Sequence, residues 1–291
     1  MNRNDAITIV LVCNDHFSIM LGALIRSIVF NHRSGEPLNI YIISDNFSNK
    51  NKKKIVNSTM AANLSLKWLN MTDLIDIQRD LPYDNSSFPL NVYLRLFIPS
   101  ILPIELKKAI YMDVDMIACK DISELWHIDI GTHPVAAVRD RSLTVSSEWG
   151  GITNYKELNL DPQTPYFNSG LLLLNLDIWR QNGILQRIIK AINTNIKYAK
   201  FPDQYGINVV LANEIMELSY KWNCYSYMEE KDPGIIHFIG KKPIYQDYDG
   251  NREYLAEFVK YLNMDSGEQF RVYSSFTRYL YKVLNKLKKK F

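Results

Sequence analysis

The sequence predicts an α/β fold built on a parallel, Rossmann-like sheet, and three observations carry that expectation. Short β-rich runs at residues 7–12, 38–43 and 64–69 alternate with segments of helical spacing, in the order βαβαβ. The strands are apolar on consecutive residues, as strands are when helices cover both sheet faces. Their ends run straight into polar residues, where sheets of this kind open to ligand.

The first strand is followed by Asn14, Asp15 and His16. Phe17, Met20, Leu21, Leu24, Ile25 and Ile28 then form the apolar stripe of a helix lying on the sheet. Ser44, Asp45 and Asn46 make a loop after the second strand, and the second helix follows Ser48. Further strands are expected at 109–112, 134–138, 170–174 and 235–238. No repeat or low-complexity linker interrupts the chain before Met264, so residues 1–265 are expected to form one catalytic-sized domain and residues 266–291 a tail.

With 47% hydrophobic and 22% charged residues over 291 positions, a disordered, collagen-like or disulfide-scaffold chain is excluded. The net charge of +3 hides an asymmetry: from Arg271 onward there are seven bases and no acid, which leaves 27 bases against 31 acids elsewhere. A nucleic-acid-binding body is therefore not expected, whereas the tail suits an anionic surface. In it Phe276, Leu280, Val283 and Leu287 recur at helical spacing, with Arg278, Lys282, Lys286 and Lys289 on another face. That pattern fits a helix at an anionic membrane surface or a terminal helix packed on the domain. Cys13, Cys119 and Cys224 stand far apart without a CxxC pair, so neither a disulfide framework nor a zinc knuckle is expected, and a reducing compartment is. The apolar run at 7–13 is broken at once by Asn14, Asp15 and His16 and reads as a buried strand rather than a secretory signal. No window approaches the roughly 18 apolar residues of a membrane span.

The sharpest feature is Tyr111-Met112-Asp113-Val114-Asp115, two carboxylates one residue apart where an apolar strand runs out. In extended backbone, residues i and i+2 face the same side, so both carboxylates are expected to point at one spot on the sheet edge. A divalent cation relieves their repulsion, and oxygen ligation completed by phosphate suits Mg²⁺ or Mn²⁺. A turn with a helix cap explains an isolated Asp-x-Asp equally well, so the surrounding segments decide.

Those segments are Asn14-Asp15-His16-Phe17 after the first strand, Tyr93-Leu94-Arg95-Leu96, and Phe167-Asn168-Ser169-Gly170-Leu171 with Asn175 and Trp179. Pro202-Asp203-Gln204 with Asn208 and His237-Phe238-Ile239-Gly240-Lys241-Lys242-Pro243 complete the set. Together with the paired carboxylates they resemble the retaining nucleotide-sugar glycosyltransferases of family eight, which include bacterial lipopolysaccharide galactosyl- and glucosyltransferases and glycogenin. The resemblance spans residues 7 to about 245 and implies a GT-A fold, a Rossmann-like domain with a mixed, mainly parallel central sheet.

It further implies roles, position by position. Asp113, Asp115 and His237 would be metal ligands, and one imidazole beside two carboxylates shifts preference from Mg²⁺ toward Mn²⁺. Asn14 and His16 would lie at the nucleoside, Val114 elsewhere in the donor site, Arg95 near the donor phosphates and sugar, and Gly240 and Lys242 at the diphosphate, with Lys241 the alternative to Lys242. Asp140 and Asn168 would hold donor-sugar hydroxyls, although Asp140 between Arg139 and Arg141 also fits a surface ion pair. Asp203 and Gln204 would stand beside the anomeric carbon, where Asp203 after Pro202 also fits a helix N-cap. The reaction implied is transfer of galactose or glucose from a UDP-sugar to a glycan hydroxyl with retained α configuration. The acceptor would be lipopolysaccharide or another lipid-linked glycan, met at the inner face of the cytoplasmic membrane. A protein that binds or hydrolyses a nucleotide sugar, and self-glucosylation of the glycogenin type, are the alternatives.

Overall fold

The structure, a computed structural model, describes residues 6–44, 47–71, 90–263 and 272–288. Strand β1 (Ile7–Val12) passes through a 3-10 turn at Asp15–Phe17 into α1 (Ser18–Asn31), followed by β2 (Leu38–Ser44), α2 (Asn49–Ser58) and β3 (Leu64–Asn70). The Ser48 hydroxyl caps α2 by accepting from the Asn51 backbone N–H at 3.3 Å. Asp45 and Asn46 of the expected loop lie outside the described residues. A 3-10 segment, Leu90–Phe97, leads to α3 (Ile98–Ile101), then β4 (Lys108–Asp113), β5 (Met116–Ala118) and α4 (Ile122–Trp126). Next come β6 (Val135–Thr144), β7 (Pro165–Asn175), α5 (Leu176–Gln181), α6 (Ile184–Thr194), α7 (Pro202–Val210) and β8 (Ile215–Leu218). The last elements are β9 (Cys224–Tyr225), β10 (Ile235–His237), α8 (Arg252–Asn263) and α9 (Ser275–Lys288).

Seven strands form the central sheet in the order β3-β2-β1-β4-β7-β6-β8, and a small sheet has the order β5-β10-β9. In the large sheet only β7 runs against its neighbours β4 and β6, so the sheet is mixed and mainly parallel. The consecutive apolar residues have the expected cause. Along β1, Ile7, Ile9 and Leu11 pack with Leu21, Leu24 and Ile28 of α1, while Val10 joins the cluster on the opposite face that holds Ile188 and Ile192 of α6. Along β7, Leu171 and Leu173 join the first cluster and Leu172 and Leu174 the second. Each strand thus loses apolar surface to both layers, at about 25 cal/mol per Å².

This topology places the site. The chain fills one side of β1 with β2 and β3 and then returns to lay β4 on the other side, with Val12 opposite Asp113. The carboxyl ends of β1 and β4 therefore flank the crevice left where the strand order reverses. Because β7 is antiparallel, its beginning lies at that same edge, and Leu171 pairs with Met112. Several bounds differ from expectation: β7 begins at Pro165 rather than 170, and β6 continues past Val138 to Thr144 through a register shift between Ala137 and Arg139. The polar residues of those extensions serve the site, which broke the apolar pattern. β5, β8 and β9, of 3, 4 and 2 residues, are too short to show a period of their own.

Candidate active site

Asp113 is the last residue of β4, and Val114 and Asp115 form the turn into β5. The two carboxylates therefore converge through a turn, not along the extended strand that the spacing suggested. His237 arrives from β10, whose pairing sets it opposite Met116, and the Phe238 backbone N–H donates to the Asp115 carbonyl at 2.8 Å. One ligand atom from each of Asp113, Asp115 and His237 lies within 4.8 Å of the others, with His237 Nε2 3.2 Å from Asp115 Oδ1. His237 Nδ1 is 2.9 Å from the Asn223 side-chain oxygen, an acceptor, so Nδ1 donates there and the bond turns Nε2 toward the carboxylates. Gly170 closes the cradle: a Cβ there would come within 2.7 Å of His237 Cε1 and 2.9 Å of Asp113 Oδ2. Two carboxylates and one oriented imidazole on rigid backbone fit a divalent ion.

The charges are balanced from inside the protein. Lys242 pairs with Asp115, and buried Arg95 places Nη2 3.0 Å from Asp113 and Nε 3.1 Å from Asp203. Burial alone raises both metal-site carboxyls. At Asp115, Lys242 and His237 outweigh it and hold the group below the usual carboxylate range, while Asp113 stays raised by burial and by Asp115 despite Arg95. Lys242 reaches back because Gly240 adopts φ +75°, a left-handed turn that glycine accepts freely. Lys241 instead pairs with exposed Asp249 at 2.7 Å, so Lys242 is the lysine at the carboxylates.

Beside the cluster opens a cavity of about 570 Å³ whose floor holds Asp140, Asn168, Asp203 and Gln204. Asp140 is buried and no surface ion pair: Arg139 pairs with Glu217 at 2.6 Å, while Asp140 Oδ2 accepts from Asn168 at 3.0 Å and Tyr225 at 3.3 Å. Asp203 lies in the first turn of α7, where the N-cap is Phe201 without a side-chain bond, so Asp203 is not the cap. Its carboxylate accepts from the Ser169 hydroxyl at 2.9 Å and meets Arg95. The Gln204 side-chain oxygen accepts from the Ser169 backbone N–H and the Asn168 amide, both at 3.2 Å. Exposed aromatics, Trp149, Tyr227 and Phe201, stand at the rim.

A second pocket, lined by Val12, Asn14, Phe17 and Val114, runs from the carboxylates along the end of β1. His16 stands outside it, its Nε2 2.7 Å from the Tyr245 hydroxyl. Helix α9 reaches this end of the site. Tyr281 stacks on His16, and Arg278 pairs with Asp247 at 2.9 Å. Phe276 and Leu280 of the expected apolar stripe are exposed, with Phe276 67% accessible, Val283 is half-buried, and Tyr279 is exposed beside them. Lys282, Lys286, Leu287 and Lys289 of the expected pattern have no described side chain.

Every expected site residue thus lies at one sheet edge or in its two pockets, apart from His16 just beyond. Asn223 and Tyr225 carry no motif in the sequence, and the only signal for Trp149 is an aromatic beside Gly150-Gly151. Ser169 and Gly170 belong to a motif of the resemblance that assigns them no role, whereas the structure sets Ser169 against Asp203 and Gly170 against the cluster. Gly170→Ala is expected to fold but to lose at least about tenfold in metal affinity, because the new methyl must push His237 or Asp113 aside. Calorimetric titration with Mn²⁺ checks this, and unchanged affinity would show that the cradle does not hold the ion.

A mainly parallel α/β sheet whose switch point presents an Asp-Asp-His cluster to a polar cavity is the architecture of GT-A glycosyltransferases. The bifunctional glycosyltransferase WbbM superposes with a TM-score of 0.75 over 91% of this chain and 51% of that one, at 22% identity. Galactosyltransferase LgtC, solved with donor and acceptor sugar analogues, gives 0.71 over 88% and 95%, at 19% identity. The sequence profile of glycosyl transferase family 8 matches residues 8–243, and the chain belongs to that family. General stress protein A of Bacillus subtilis (strain 168) is 27% identical over 266 residues, 84% of this chain and 89% of its own. Lipopolysaccharide 1,2-glucosyltransferase of Escherichia coli (strain K12) is 25% identical over 223 residues, 77% of this chain and 63% of that protein, under two thirds of its length.

Proposed function

We propose that this glycosyltransferase moves galactose or glucose from a UDP-sugar to a hydroxyl of a cell-surface glycan such as lipopolysaccharide, retaining the α configuration. The observation that carries the reading is the Asp113, Asp115, His237 cluster opening into the cavity floored by Asp203 and Gln204. Mn²⁺ held by those three residues, or Mg²⁺ in its place, would supply a Lewis acid for the departing diphosphate. Lys242 and Arg95 are the cations beside that position, and charge stabilisation of this kind is the largest catalytic contribution expected. Asp140 and Asn168 bind sugar hydroxyls through a carboxylate and an amide already oriented toward each other. Gln204 is an amide and so a poor nucleophile, and its oxygen already accepts hydrogen bonds from Asn168 and Ser169. The acceptor hydroxyl therefore attacks from the face the diphosphate leaves, and its proton passes to the departing phosphate oxygen. The exposed rim of Trp149, Tyr227 and Phe201 supports a glycan acceptor, because sugar rings stack on aromatic faces.

A panel of UDP-sugars with Mn²⁺ or Mg²⁺, read by UDP release, tests this. The expected result is release that accelerates when a glycan acceptor is added. Release that ignores the acceptor would favour the hydrolysing alternative, and label incorporated into the protein itself would favour self-glucosylation. In the same assay His237→Ala is expected to weaken Mn²⁺ activation more than Mg²⁺ activation, and equal losses would count against ligation by the imidazole.

We further propose that the protein works peripherally at the inner face of the cytoplasmic membrane on a lipid-linked acceptor. Among the described residues no helix is long and apolar enough to cross a membrane. The support is α9, which turns Phe276, Tyr279 and Leu280 outward and whose sequence is rich in basic residues. Replacing Phe276 and Leu280 together by serine should reduce co-sedimentation with anionic vesicles about tenfold or more, since each side chain gives up an insertion worth roughly 1.5–3 kcal/mol. Turnover of a soluble acceptor should stay unchanged. Undiminished vesicle binding would remove the helix from the membrane.

A further inference from the structure

We propose that Tyr281 is a self-ligand of the nucleobase subsite: docked, helix α9 places this ring where the donor's base must bind, so donor binding releases the helix. The inference rests on the donor-site reading of Asn14 and His16 given above. The Tyr281 and His16 rings are parallel within 9° and 3.5 Å apart between centroids, which is how an aromatic base stacks. Burial lowers the pKa of His16, so at neutral pH the contact is one between uncharged aromatic rings. The Tyr281 hydroxyl accepts from Asn14 Nδ2 at 3.1 Å, and Phe17 meets the same ring edge-on at 5.9 Å and 82°.

A flat ring with an oxygen at its edge, aimed at a side-chain amide, is the chemical outline of a pyrimidine. All three contacts fall on one short segment at the carboxyl end of β1, and Asn14 and Phe17 also line the pocket that leads to the paired carboxylates. The donor group of Asn14 that a base would use is thus taken by Tyr281. Among the described residues of the helix the other tie on this side is Arg278, which pairs with Asp247, both about a quarter exposed, while Phe276, Tyr279 and Leu280 face away. The chain just before the helix is held by Tyr273, whose backbone bonds to Ile244 and Gln246 and would act as the hinge. A nucleotide that binds only the undocked form has its apparent affinity reduced by the fraction of time the helix is docked.

Binding of UDP and of inorganic pyrophosphate, each with Mn²⁺, is measured for the parent chain, Tyr281→Ala and Tyr281→Phe. Tyr281→Ala is expected to lower the Kd for UDP about fivefold or more, corresponding to a helix docked roughly four-fifths of the time, and to leave the Kd for pyrophosphate unchanged. Tyr281→Phe, which keeps the stack and loses the Asn14 bond, should fall between. In the parent chain UDP should speed amide hydrogen exchange across the helix. Unchanged or weaker UDP binding by Tyr281→Ala, equal tightening toward pyrophosphate, or protection of the helix by UDP would each overturn the proposal while leaving the nucleotide reading intact. If neither the parent nor the variants bind UDP, the nucleotide reading itself fails and this inference with it.

Discussion

Asp115→Asn should fold as the parent does and lose at least about 10²-fold in kcat, the scale on which removing one stabiliser of a developing charge is felt. Asp115 answers two groups at once: one oxygen lies 3.2 Å from the His237 imidazole and the other meets Lys242. The amide keeps the shape of the side chain and removes the charge that would hold the ion. It also leaves Lys242 without its anion, but that ammonium is partly exposed, so the fold should lose no more than about 1 kcal/mol. Asp113→Asn should behave alike in activity. Metal-dependent UDP release together with a thermal unfolding curve checks both variants. Activity within a few-fold of the parent, with the metal requirement intact, would sink the assignment.

Arg95→Ala is expected to lose activity and also roughly 3–5 kcal/mol of stability, the range for breaking a buried ion pair by removing one partner. The guanidinium joins Asp113 to Asp203, donates to the Ser169 carbonyl at 2.7 Å and lies over the Tyr111 ring, 4.8 Å from its centroid. Alanine leaves two carboxylates facing each other with their shared counter-ion gone. Arg95→Lys should recover only part of the loss, since a single ammonium cannot span the planar fork of contacts. Denaturation followed by tryptophan fluorescence measures this. A shift under about 1 kcal/mol would mean that Asp113 and Asp203 do not depend on Arg95.

The parts of the fold that rest on repeated burial could be read from the sequence. β1 and β2 are buried along almost their whole length because helices cover both faces, and α1 has its stripe for the same reason, while β3 at the sheet edge is only partly buried and carries Ser65 and Lys67 between its apolar residues. The start of β7 and the end of β6 could not, because Ser169, Asp140 and Ser142 are buried, and Asn168 half-buried, by the site's own hydrogen bonds rather than by apolar packing. The paired carboxylates announced the cluster, yet the turn that joins them is set by the pairing of β5 with β10, over a hundred residues further along. Asn223 shows the limit most plainly. It orients His237 through one bond and donates to Asn168 at 2.9 Å through another, and nothing in its neighbours in sequence marks it.

The insertion of β4 beside β1 also bears on how the molecule reaches its native state. Val12 and Asp113 are partners across that pairing, with β2 and β3 completed in between, so closing the loop costs on the order of 4 kcal/mol in chain entropy before any contact offsets it. Pairings this distant in sequence slow folding. A chain that has assembled β1, β2 and β3 alone presents no carboxylate pair, and one that has added β4 and β5 still lacks the imidazole carried by β10. The three-ligand site comes into being only with the last strands. A divalent ion that binds all three should therefore stabilise the finished fold by mass action while giving little help to partly folded forms, which would slow unfolding far more than it speeds folding.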